Sequence, residues 1–429
     1  MAQKRSAALP FILVTLLLDV LGIGLIIPVL PKLVTTMGGG NISENSGLFG
    51  WFVAIYASMQ FLFSPVLGSL SDTYGRRPVI LLSLVGAGLD YLLLAFAPSL
   101  EWLFVGRVIS GITGANMTAI NAYVADVSPP EKRAQNYGLM GAMFGIGFIL
   151  GPAVGGLLGS VGPRIPFLAA SALNLLNALY GFFVLPESLE PKNRKPLSLR
   201  TANPISSLGA LARHPILLGL AGTMVCVSMA QQVLYSTWVL FTTFRFQWTE
   251  LQNGLSLSVV GITAAVVQGG LTRVAVKQLG ERKALVVGLG FSVVSYVMYG
   301  LATQGWMLYA ILVVGSLGGI AGPSVQALIS KAAGPSEQGT VQGAISSIMS
   351  LTGVVGPVVF THLFGYFTSD AAPMKIPGVA FFGGAALIFL GMLLVSFHDH
   401  GATSEGFFHD HGATRFPPGR GQSRCWGRA

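Results

Sequence analysis

Residues 68–78 read Gly68-Ser-Leu-Ser-Asp72-Thr-Tyr-Gly75-Arg76-Arg77-Pro78, a short charged segment between two long apolar runs. The runs extend over about residues 47–70 and 78–98. A helix needs about 20 apolar residues to cross a bilayer, and each run is long enough. The segment therefore indicates a loop that joins two transmembrane helices on one side of a membrane.

The residues of this loop suit a tight turn between packed helices. Gly68 permits a close helix approach, and Gly75 permits a backbone conformation that other residues disfavour. Pro78 suits the first turn of the next helix. Asp72 can accept hydrogen bonds from a neighbouring helix N-terminus, or it can pair with the loop arginines and fasten a gate in one conformational state. The alternative is that these charges follow only from the cytoplasmic position of the loop. That alternative leaves the spacing of the glycines and charged residues unexplained.

The composition of the whole chain agrees with a membrane protein. Of its 429 residues, 52% are hydrophobic and only 10% are charged, whereas soluble domains carry about 25% charged residues. The apolar residues form separate runs along the entire chain, and helices satisfy their own backbone hydrogen bonds in lipid. Twelve runs are long enough to span a bilayer, at about residues 10–31, 47–70, 78–98, 100–122, 137–159, 166–185, 215–240, 252–273, 283–302, 305–331, 341–366 and 376–397.

The positions of the basic residues predict the orientation of these spans. Cytoplasmic loops of membrane proteins are rich in lysine and arginine. Sixteen basic residues fall on one set of alternate loops and four on the other, when the tail and Arg107 are set aside. The basic side, which includes both chain ends, is therefore predicted to face the cytoplasm from the cell (inner) membrane. Topology then explains the net charge of +9, and no nucleic-acid partner is expected.

A polar segment and an internal repeat divide the chain. Residues 186–214 form the longest polar stretch between runs and are predicted to be a cytoplasmic linker. A shift of 205 residues aligns Gly75 with Gly280, Tyr91 with Tyr296, Gly138 with Gly343, and Gly151–Pro152 with Gly356–Pro357. Parallel six-helix repeats with a site at mid-membrane are a transporter architecture. We therefore predict an all-α membrane protein of twelve helices in two pseudo-symmetric bundles, 1–185 and 215–397, with a disordered cytoplasmic tail at 398–429.

Four charged residues are candidates for groups inside the membrane, all in the first half, and one of them, Asp126, lies at the interface near the cytoplasmic end of the fourth span. Asp19 lies in the middle of the first span, Asp90 in the third, and Arg107 near the start of the fourth. Charged groups in hydrocarbon are costly and usually face a cavity or a partner. A carboxylate in a partly dry cavity can bind and release a proton as access alternates, and a nearby arginine adjusts its proton affinity. The functional hypothesis is a proton-coupling site. The alternative is a salt bridge or hydrogen-bonded carboxylate that only orders the bundle.

The second half has glutamines where the first half has charges. Gln231, Gln232, Gln268 and Gln326 are polar groups within its predicted spans. Uncharged amides can line a substrate cavity, and they can equally bond a neighbouring helix. The asymmetry suggests that the first half carries the coupling and that both halves share the recognition of a small-molecule substrate.

The loop at residues 68–78 resembles the loop signature of the major facilitator superfamily, and two further segments agree. The segment Arg107-Val-Ile-Ser-Gly111-Ile-Thr-Gly114 resembles the arginine motif of the fourth helix. The segment Gly147-Phe-Ile-Leu-Gly151-Pro152-Ala-Val-Gly155-Gly156 resembles the fifth-helix signature of proton-driven antiporters. Its glycines and proline permit a bend and tight packing, and a role in packing alone is the alternative.

Within that superfamily the chain is most similar to the tetracycline/proton antiporter class of drug exporters. Its first span, with Leu18-Asp19-Val-Leu-Gly22-Ile-Gly24-Leu-Ile-Ile-Pro28-Val-Leu-Pro31, fits that class, and the resemblance covers about residues 9–395. The resemblance implies export of an amphipathic drug, with the proton gradient as energy source and no bound cofactor. It implies roles for Asp19, Asp72, Asp90 and Arg107, and it would imply a divalent metal that travels with the substrate.

Two departures from the class bear on the substrate. Tetracycline exporters typically have an aspartate in the ninth helix where this chain has Ser292, and some have a histidine in the eighth where this chain has Ala264. These differences put tetracycline itself in question and favour, as a second hypothesis, a transporter of an endogenous metabolite. A membrane sensor would need a soluble signalling domain, and an enzyme would need a nucleophile–base, metal or phosphate motif. Neither kind of feature stands out, so an enzyme is not expected.

The tail contains the sequence Phe-His-Asp-His-Gly-Ala-Thr twice, at residues 397–403 and 408–414. Its His-Asp-His units could bind a transition metal. A recent duplication is the simpler interpretation, so no metal site is predicted and the tail is expected to be dispensable for transport.

Overall fold

The computed structural model describes residues 2–197, 215–332 and 338–405. Within these ranges every regular element is a helix, which confirms the predicted all-α class. Ten stretches are long and apolar enough to cross a membrane. One of them, Glu250–Leu301, contains two spans because its backbone breaks at Gly280, where φ is 77°. The shorter apolar stretch Val379–Val395 completes the twelve spans expected from the sequence.

The spans are numbered in chain order. Eight are single helices: span 1 (Ala2–Ile26), span 2 (Ile42–Tyr74), span 3 (Arg76–Phe96), span 5 (Arg133–Val161), span 6 (Ile165–Val184), span 7 (Pro215–Phe246), span 11 (Gln338–Thr368) and span 12 (Val379–Glu405). Span 4 comprises Leu100–Gly114 and Met117–Val127, and span 10 comprises Gly305–Ser316, Leu317–Ile320 and Ala321–Ala332. Spans 8 and 9 comprise Glu250–Val266, the π turn Val267–Leu271 and Thr272–Leu301, with the break at Gly280 between them. Short helices at Leu30–Gly38, Pro130–Lys132 and Pro191–Asn193 lie in the connections.

Two predicted segments are described only in part. The helix of span 12 continues to Glu405, beyond the end expected near residue 397. Residues 198–214 of the predicted linker and residues 406–429 of the predicted tail, with His409 and His411, lie outside the described residues.

Spans 1–6 (the first half) and spans 7–12 (the second half) repeat one packing arrangement. Span 1 packs against spans 5 and 6, and span 7 packs in the same way against spans 11 and 12. Spans 3 and 6 pair as spans 9 and 12 do. The halves meet where span 2 packs on span 11 and where span 5 packs on span 8, two contacts that the same repeat relates.

The internal repeat is also visible in a charged contact. The Nε of Arg76 lies 3.2 Å from Oδ2 of Asp126. A shift of 205 residues takes this pair to Glu281 and Lys331, whose charged atoms are 2.7 Å apart. The second copy of the loop has lost the sequence signature, yet it keeps the ion pair with the two charges exchanged.

The two halves touch on one face of the molecule. We call the face that carries the 68–78 loop the motif face, and the other the opposite face. Toward the opposite face, span 5 lies directly on span 8: Ser258 Oγ donates to the carbonyl oxygen of Ile149 at 2.6 Å. Gly254 lies against the carbonyl of Pro152, and Gly156 lies against the backbone of Glu250. Small residues permit this close backbone approach.

Span 2 and span 11 also meet at the opposite face, on the side of the molecule away from spans 5 and 8. Gly365 of span 11 lies against Ser46, and Gly50 of span 2 lies against Thr361. An ion pair between Lys32, in the helix after span 1, and Glu250, at the start of span 8, also joins the halves here.

Toward the motif face the halves separate. Gly145, Gly141 and Gly138 continue the stripe of span 5 that contacts span 8, because residues three and four apart share a helix face. A Cβ added at any of these three glycines would meet nothing within 4 Å among the described residues. The space between spans 5 and 8 therefore widens toward the motif face.

Candidate functional site

A cavity of about 270 Å³ lies between the two halves. Its polar end is formed by the first half and contains all three intramembrane charges predicted from the sequence, Asp19, Asp90 and Arg107. These side chains come from spans 1, 3 and 4, and each residue is less than 8% exposed. The structure thus brings together the three residues that the sequence singled out for proton coupling.

Asp19 is bound by a neutral group. The Nδ2 of Asn116 donates to Oδ2 of Asp19 at 3.2 Å. Asn116 lies in the break between the two helices of span 4 and is 2% exposed. An amide donor stabilises a carboxylate without adding charge, so Asp19 keeps its full negative charge in the cavity when it is ionised.

Asp90 is linked to a cation through a hydroxyl group. Ser110 Oγ donates to Oδ2 of Asp90, and the Nη2 of Arg107 donates to the same Oγ at 2.8 Å. The guanidinium carbon of Arg107 also lies 5.7 Å from the ring centroid of Tyr56, within the range of a cation–π contact. Arg107 therefore belongs to the Asp90 side of the site.

The second half supplies a mostly aromatic and apolar wall. Trp238 lines the cavity, and its Nε1 donates to Ser256 Oγ at 3.0 Å, so the indole is held within its own half. Its ring contacts the rings of Tyr299 and Phe381 edge to face, at centroid distances of 5.4 and 6.3 Å. Tyr235 also lines the cavity. Such a wall suits the ring system of an amphipathic molecule.

The four glutamines predicted as substrate-binding candidates lie outside the lining of this cavity. Gln231 is the nearest, because its Nε2 donates to the hydroxyl of the cavity residue Tyr235 at 3.1 Å. Gln232 packs on Gly356 of span 11. Gln268 is exposed in the π turn, and Gln326 is half-buried in span 10. In this conformation the second half contributes rings in place of the expected amides.

The loop signature forms a network within the first half. The Nη1 of Arg76 donates to Asp72 and, at 2.7 Å, to Ser71 Oγ, while its Nε donates to Asp126. Gly75 has a φ of 110°, a conformation that favours glycine. In this state the partner of Asp72 among the described residues, Arg76, lies inside its own half.

Glu187, which the sequence interpretation did not single out, organises this loop. Its carboxylate oxygens accept from the backbone N–H groups of Arg76 at 2.9 Å and Arg77 at 3.3 Å, which are at the start of span 3. A negative charge is favourable at a helix N-terminus. The Nη2 of Arg77 donates to the carbonyl oxygen of Phe182 at 2.5 Å, which ties the loop to the end of span 6.

The glycines of the span 5 signature are packing sites. Gly68, in the 68–78 loop, is packed less tightly than these glycines, because the nearest atom to an added Cβ would belong to Thr118, at 4.0 Å. By contrast, a Cβ at Gly151 would lie 2.7 Å from the Cα of Gly24, and one at Gly147 would lie 2.8 Å from Val20 Cγ1. Gly155 abuts the backbone of Leu25 in span 1.

Gly156 and Pro152 of the same signature face the other half. A Cβ added at Gly156 would meet the backbone of Glu250 and, at 3.0 Å, the Cα of Leu251. The carbonyl of Pro152 touches Gly254. The signature therefore fixes span 5 to span 1 on one side and forms the contact between the halves on the other.

The two departures from the tetracycline class lie away from the cavity lining. Ser292 donates to the carbonyl oxygen of Gly288 at 3.1 Å in span 9 and lies against Gly318 of span 10. Ala264 is half-buried near the end of the first helix of span 8. Neither residue contributes to the wall of the cavity.

Comparisons with known proteins place this site in a family. The profile of the Major Facilitator Superfamily matches residues 12–357. The tetracycline resistance protein, class C, of Escherichia coli is 41% identical over 385 residues, which cover 90% of this chain and 95% of that protein.

Solved structures show the same fold. The crystal structure of the human organic anion transporter MFSD10 (TETRAN) has a TM-score of 0.67 and 26% identity, over 91% of this chain and 99% of that one. A bacterial homologue of the human lysosomal transporter Spinster has a TM-score of 0.74 and 16% identity, over 92% and 97% of the two chains. The predicted family resemblance is confirmed, and the expectation that the chain is not an enzyme agrees with a family of transporters. The chain belongs to the major facilitator superfamily and is related to the tetracycline resistance proteins.

Proposed function

We propose that this protein is a proton-coupled antiporter that exports an amphipathic, ring-containing drug of the tetracycline type by alternating access. The observation that carries the proposal is the cavity between the halves, in which two buried carboxylates and an arginine face an aromatic and apolar wall that includes Tyr235 and Trp238. Its relation to tetracycline resistance proteins, at 41% identity over most of both chains, supports a substrate of that class.

The excess of basic residues on the motif face supports a cytoplasmic location of this face, of both termini and of the 186–214 linker, in the cell membrane. The halves separate toward this face. The conformation is then the inward-facing one, in which the cavity accepts a drug from the cytoplasm or from the inner leaflet.

The cycle follows from this assignment. The drug enters from the motif face and displaces a proton from the carboxylate site, and the halves then close behind it. Opening of the opposite face releases the drug outward, and the emptied site takes up a proton there. The return of the protonated transporter completes the exchange, driven by the proton gradient. A divalent metal, where the drug chelates one, would travel as part of the cargo.

A transporter of an endogenous metabolite on the same scaffold is the second candidate. The observation that favours it is Ser292, which stands where tetracycline exporters typically carry an aspartate. The cavity would then hold a metabolite of similar size, and the proton site would keep its role.

Everted membrane vesicles that contain the protein provide the test. A pH gradient is imposed, its collapse is followed with a fluorescent dye, and a panel of compounds that includes tetracyclines is added. Collapse on addition of a tetracycline is expected. Collapse of the gradient only with another compound would support the antiport mechanism with a different substrate. A gradient that no compound in the panel collapses, with folded protein present, would overturn the proposal.

Three variants connect this assay to the site. Asp19→Asn and Asp90→Asn should each abolish exchange while the protein still folds, and Arg107→Ala should abolish coupling. Full coupled transport in both aspartate variants would remove the proposed proton site. Asp72→Asn should slow the cycle without abolishing it, because the loop network lies outside the cavity. An unaltered turnover in Asp72→Asn would indicate that the charges of the loop set only the orientation of the protein in the membrane.

A further inference from the structure

The two carboxylates of the cavity have chemically different partners. The difference arises in span 4, which is not one continuous helix. Its first helix ends at Gly114 and its second begins at Met117, so a turn at Ala115 and Asn116 interrupts the span in the middle of the membrane. The turn directs the side chain of Asn116 to span 1, while the helix before it presents Arg107 and Ser110 to span 3.

The hydrogen-bond directions at Asp90 are fixed by the arginine. A guanidinium group can only donate, so Arg107 occupies a lone pair of Ser110 Oγ. The single hydroxyl proton of Ser110 is then directed to Asp90. Asp90 is thus bound by a hydroxyl donor that a guanidinium cation polarises, and both groups stabilise its ionised form.

The hydrogen-bond direction at Asp19 is reversible. The amide of Asn116 has a donor end and an acceptor end. Its Nδ2 now donates to Asp19, and its Oδ1 is buried without a hydrogen-bond partner among the described residues. Since no described partner holds this Oδ1, a rotation of the amide by half a turn would place the oxygen against Asp19. The rotated amide would accept a hydrogen bond from a protonated Asp19.

We propose that Asn116 is a positioning residue for Asp19, and that its reversible amide lets Asp19 alternate between carboxylate and carboxylic acid while Asp90 stays ionised with Arg107. The proposal rests on the proposed proton antiport and adds to it which carboxylate changes its protonation and which neutral residue makes this possible. No covalent bond changes. A proton arrives at or leaves the Asp19 carboxylate, and the Asn116 amide turns with it.

The other groups around Asp19 are consistent with this assignment. The titratable or charged groups that line the same cavity are Tyr56 of span 2, Asp90 and Tyr91 of span 3, Arg107 of span 4, and Tyr235 of span 7. Spans 5 and 6, which also pack on span 1, present uncharged residues to it, among them Gly147, Gly151, Asn174 and Asn177. Arg107 is committed to Ser110 and Tyr56, so Asn116 is the hydrogen-bond donor that the structure gives to Asp19.

The test is an infrared titration of the purified protein in lipid. The C=O stretch of a protonated carboxylic acid reports protonation directly and needs no substrate. Wild-type protein is expected to show a carboxylic acid band that disappears as the pH is raised. The band should be absent in Asp19→Asn and present in Asp90→Asn.

Asn116→Leu tests the positioning role. Leucine is close to asparagine in size and can neither donate nor accept, so the carboxylate form loses its donor. The midpoint of the titration should rise by about one pH unit, which is a tenfold change in proton binding. Asn174→Leu is the matched control, because Asn174 is equally buried in the same bundle but donates to Ala170 of its own helix. Its midpoint should stay at the wild-type value.

Three results would overturn the inference. The first is a band that survives in Asp19→Asn and is lost in Asp90→Asn, a comparison that remains available if the leucine variant fails to fold. The second is an unchanged midpoint in Asn116→Leu. The third is an equal shift in both leucine variants, which would indicate a structural role only. Absence of drug exchange in vesicles would refute the antiporter while leaving this titration readable, so the two failures are distinguishable.

Discussion

Addition of one methyl group at Gly254 should destabilise the state in which the opposite face is closed, which is the inward-facing state in the orientation that we propose. Gly254 lies in span 8 where the halves touch on the opposite face. An added Cβ would overlap the carbonyl oxygen of Pro152, and it would lie 3.0 Å from Pro152 C and 3.2 Å from Gly156 Cα. All three atoms belong to the backbone of span 5, so none can rotate away, and the two spans must separate.

The size of the effect follows from the geometry. Overpacking of a well-packed contact costs about 1–3 kcal/mol. The cost falls on the closed opposite face and is relieved when that face opens. Gly254→Ala should therefore shift the equilibrium toward the state that is open at the opposite face by about 5- to 150-fold.

Thiol labelling can measure this shift. Ser46 of span 2 is fully buried and lies against Gly365 of span 11, so it becomes accessible only when the opposite face opens, and in the proposed orientation that face is outside the cell. Ser46→Cys is introduced in a background in which Cys226 and Cys425 are replaced by serine. A membrane-impermeant thiol reagent is added to intact cells, and its rate of reaction should rise at least about fivefold in Gly254→Ala.

Gly353→Ala is the matched control. Gly353 also lies between the halves, but an added Cβ would be 3.8 Å from Ala57 Cβ, which is an ordinary contact. The labelling rate should stay near that of the parent protein. Equal rates in the two alanine variants, with both proteins folded by size-exclusion chromatography, would refute the reasoning that backbone contact at Gly254 holds this face closed.

Three further predictions use other contacts. Lys32→Met removes the ion pair with Glu250; because Lys32 is largely exposed, the loss should be under about 1 kcal/mol, and labelling in the same assay should rise less than in the glycine variant. Glu281→Lys places a second positive charge beside Lys331 and should lower the melting temperature of the purified protein slightly. The double variant Glu281→Lys with Lys331→Glu, which exchanges the two charges, should restore the melting temperature. Trp238→Ala removes a fully buried ring and should lower the free energy of unfolding by about 3–5 kcal/mol, measured by thermal unfolding in detergent; a change under about 1 kcal/mol would contradict its anchoring role.

The parts of the fold and site that could be predicted from the sequence are those in which an unsuitable residue would cost much free energy. Asp19, Asp90 and Arg107 stand out because charges are rare in apolar runs, and the structure places all three in one cavity. The repeat was visible in glycines and in a Gly-Pro pair, whose positions are restricted by backbone geometry and close packing.

Other parts of the site carry no such penalty and were missed. Asn116 is one amide among many polar residues, and its contact with Asp19 depends on a turn in the middle of span 4. Trp238 and Tyr235 line the cavity, but rings in an apolar run give no sign of whether they face lipid, core or cavity. Gln232 is visible in the sequence as a polar group, yet in the structure it packs on span 11. Residue type alone predicts the cost of burial and does not predict the partner.

Under the proposed proton antiport, the distribution of charge across the halves explains how a proton inside one half can control the motion of both. Among the described residues, the ion pair that joins the halves is Lys32–Glu250 at the opposite face, remote from the proton site. Protonation therefore need not act by breaking a bridge between the halves. With Asp19 and Asp90 ionised, the cavity carries two negative charges against one from Arg107. Closing it over an uncompensated charge costs several kcal/mol in a dry interior. Either a proton on Asp19 or a cargo with one net positive charge removes that cost, and the two exclude each other. Under the proposed proton site, exchange then follows from desolvation, and the expected cargo is a cationic drug or a drug carried with a divalent metal.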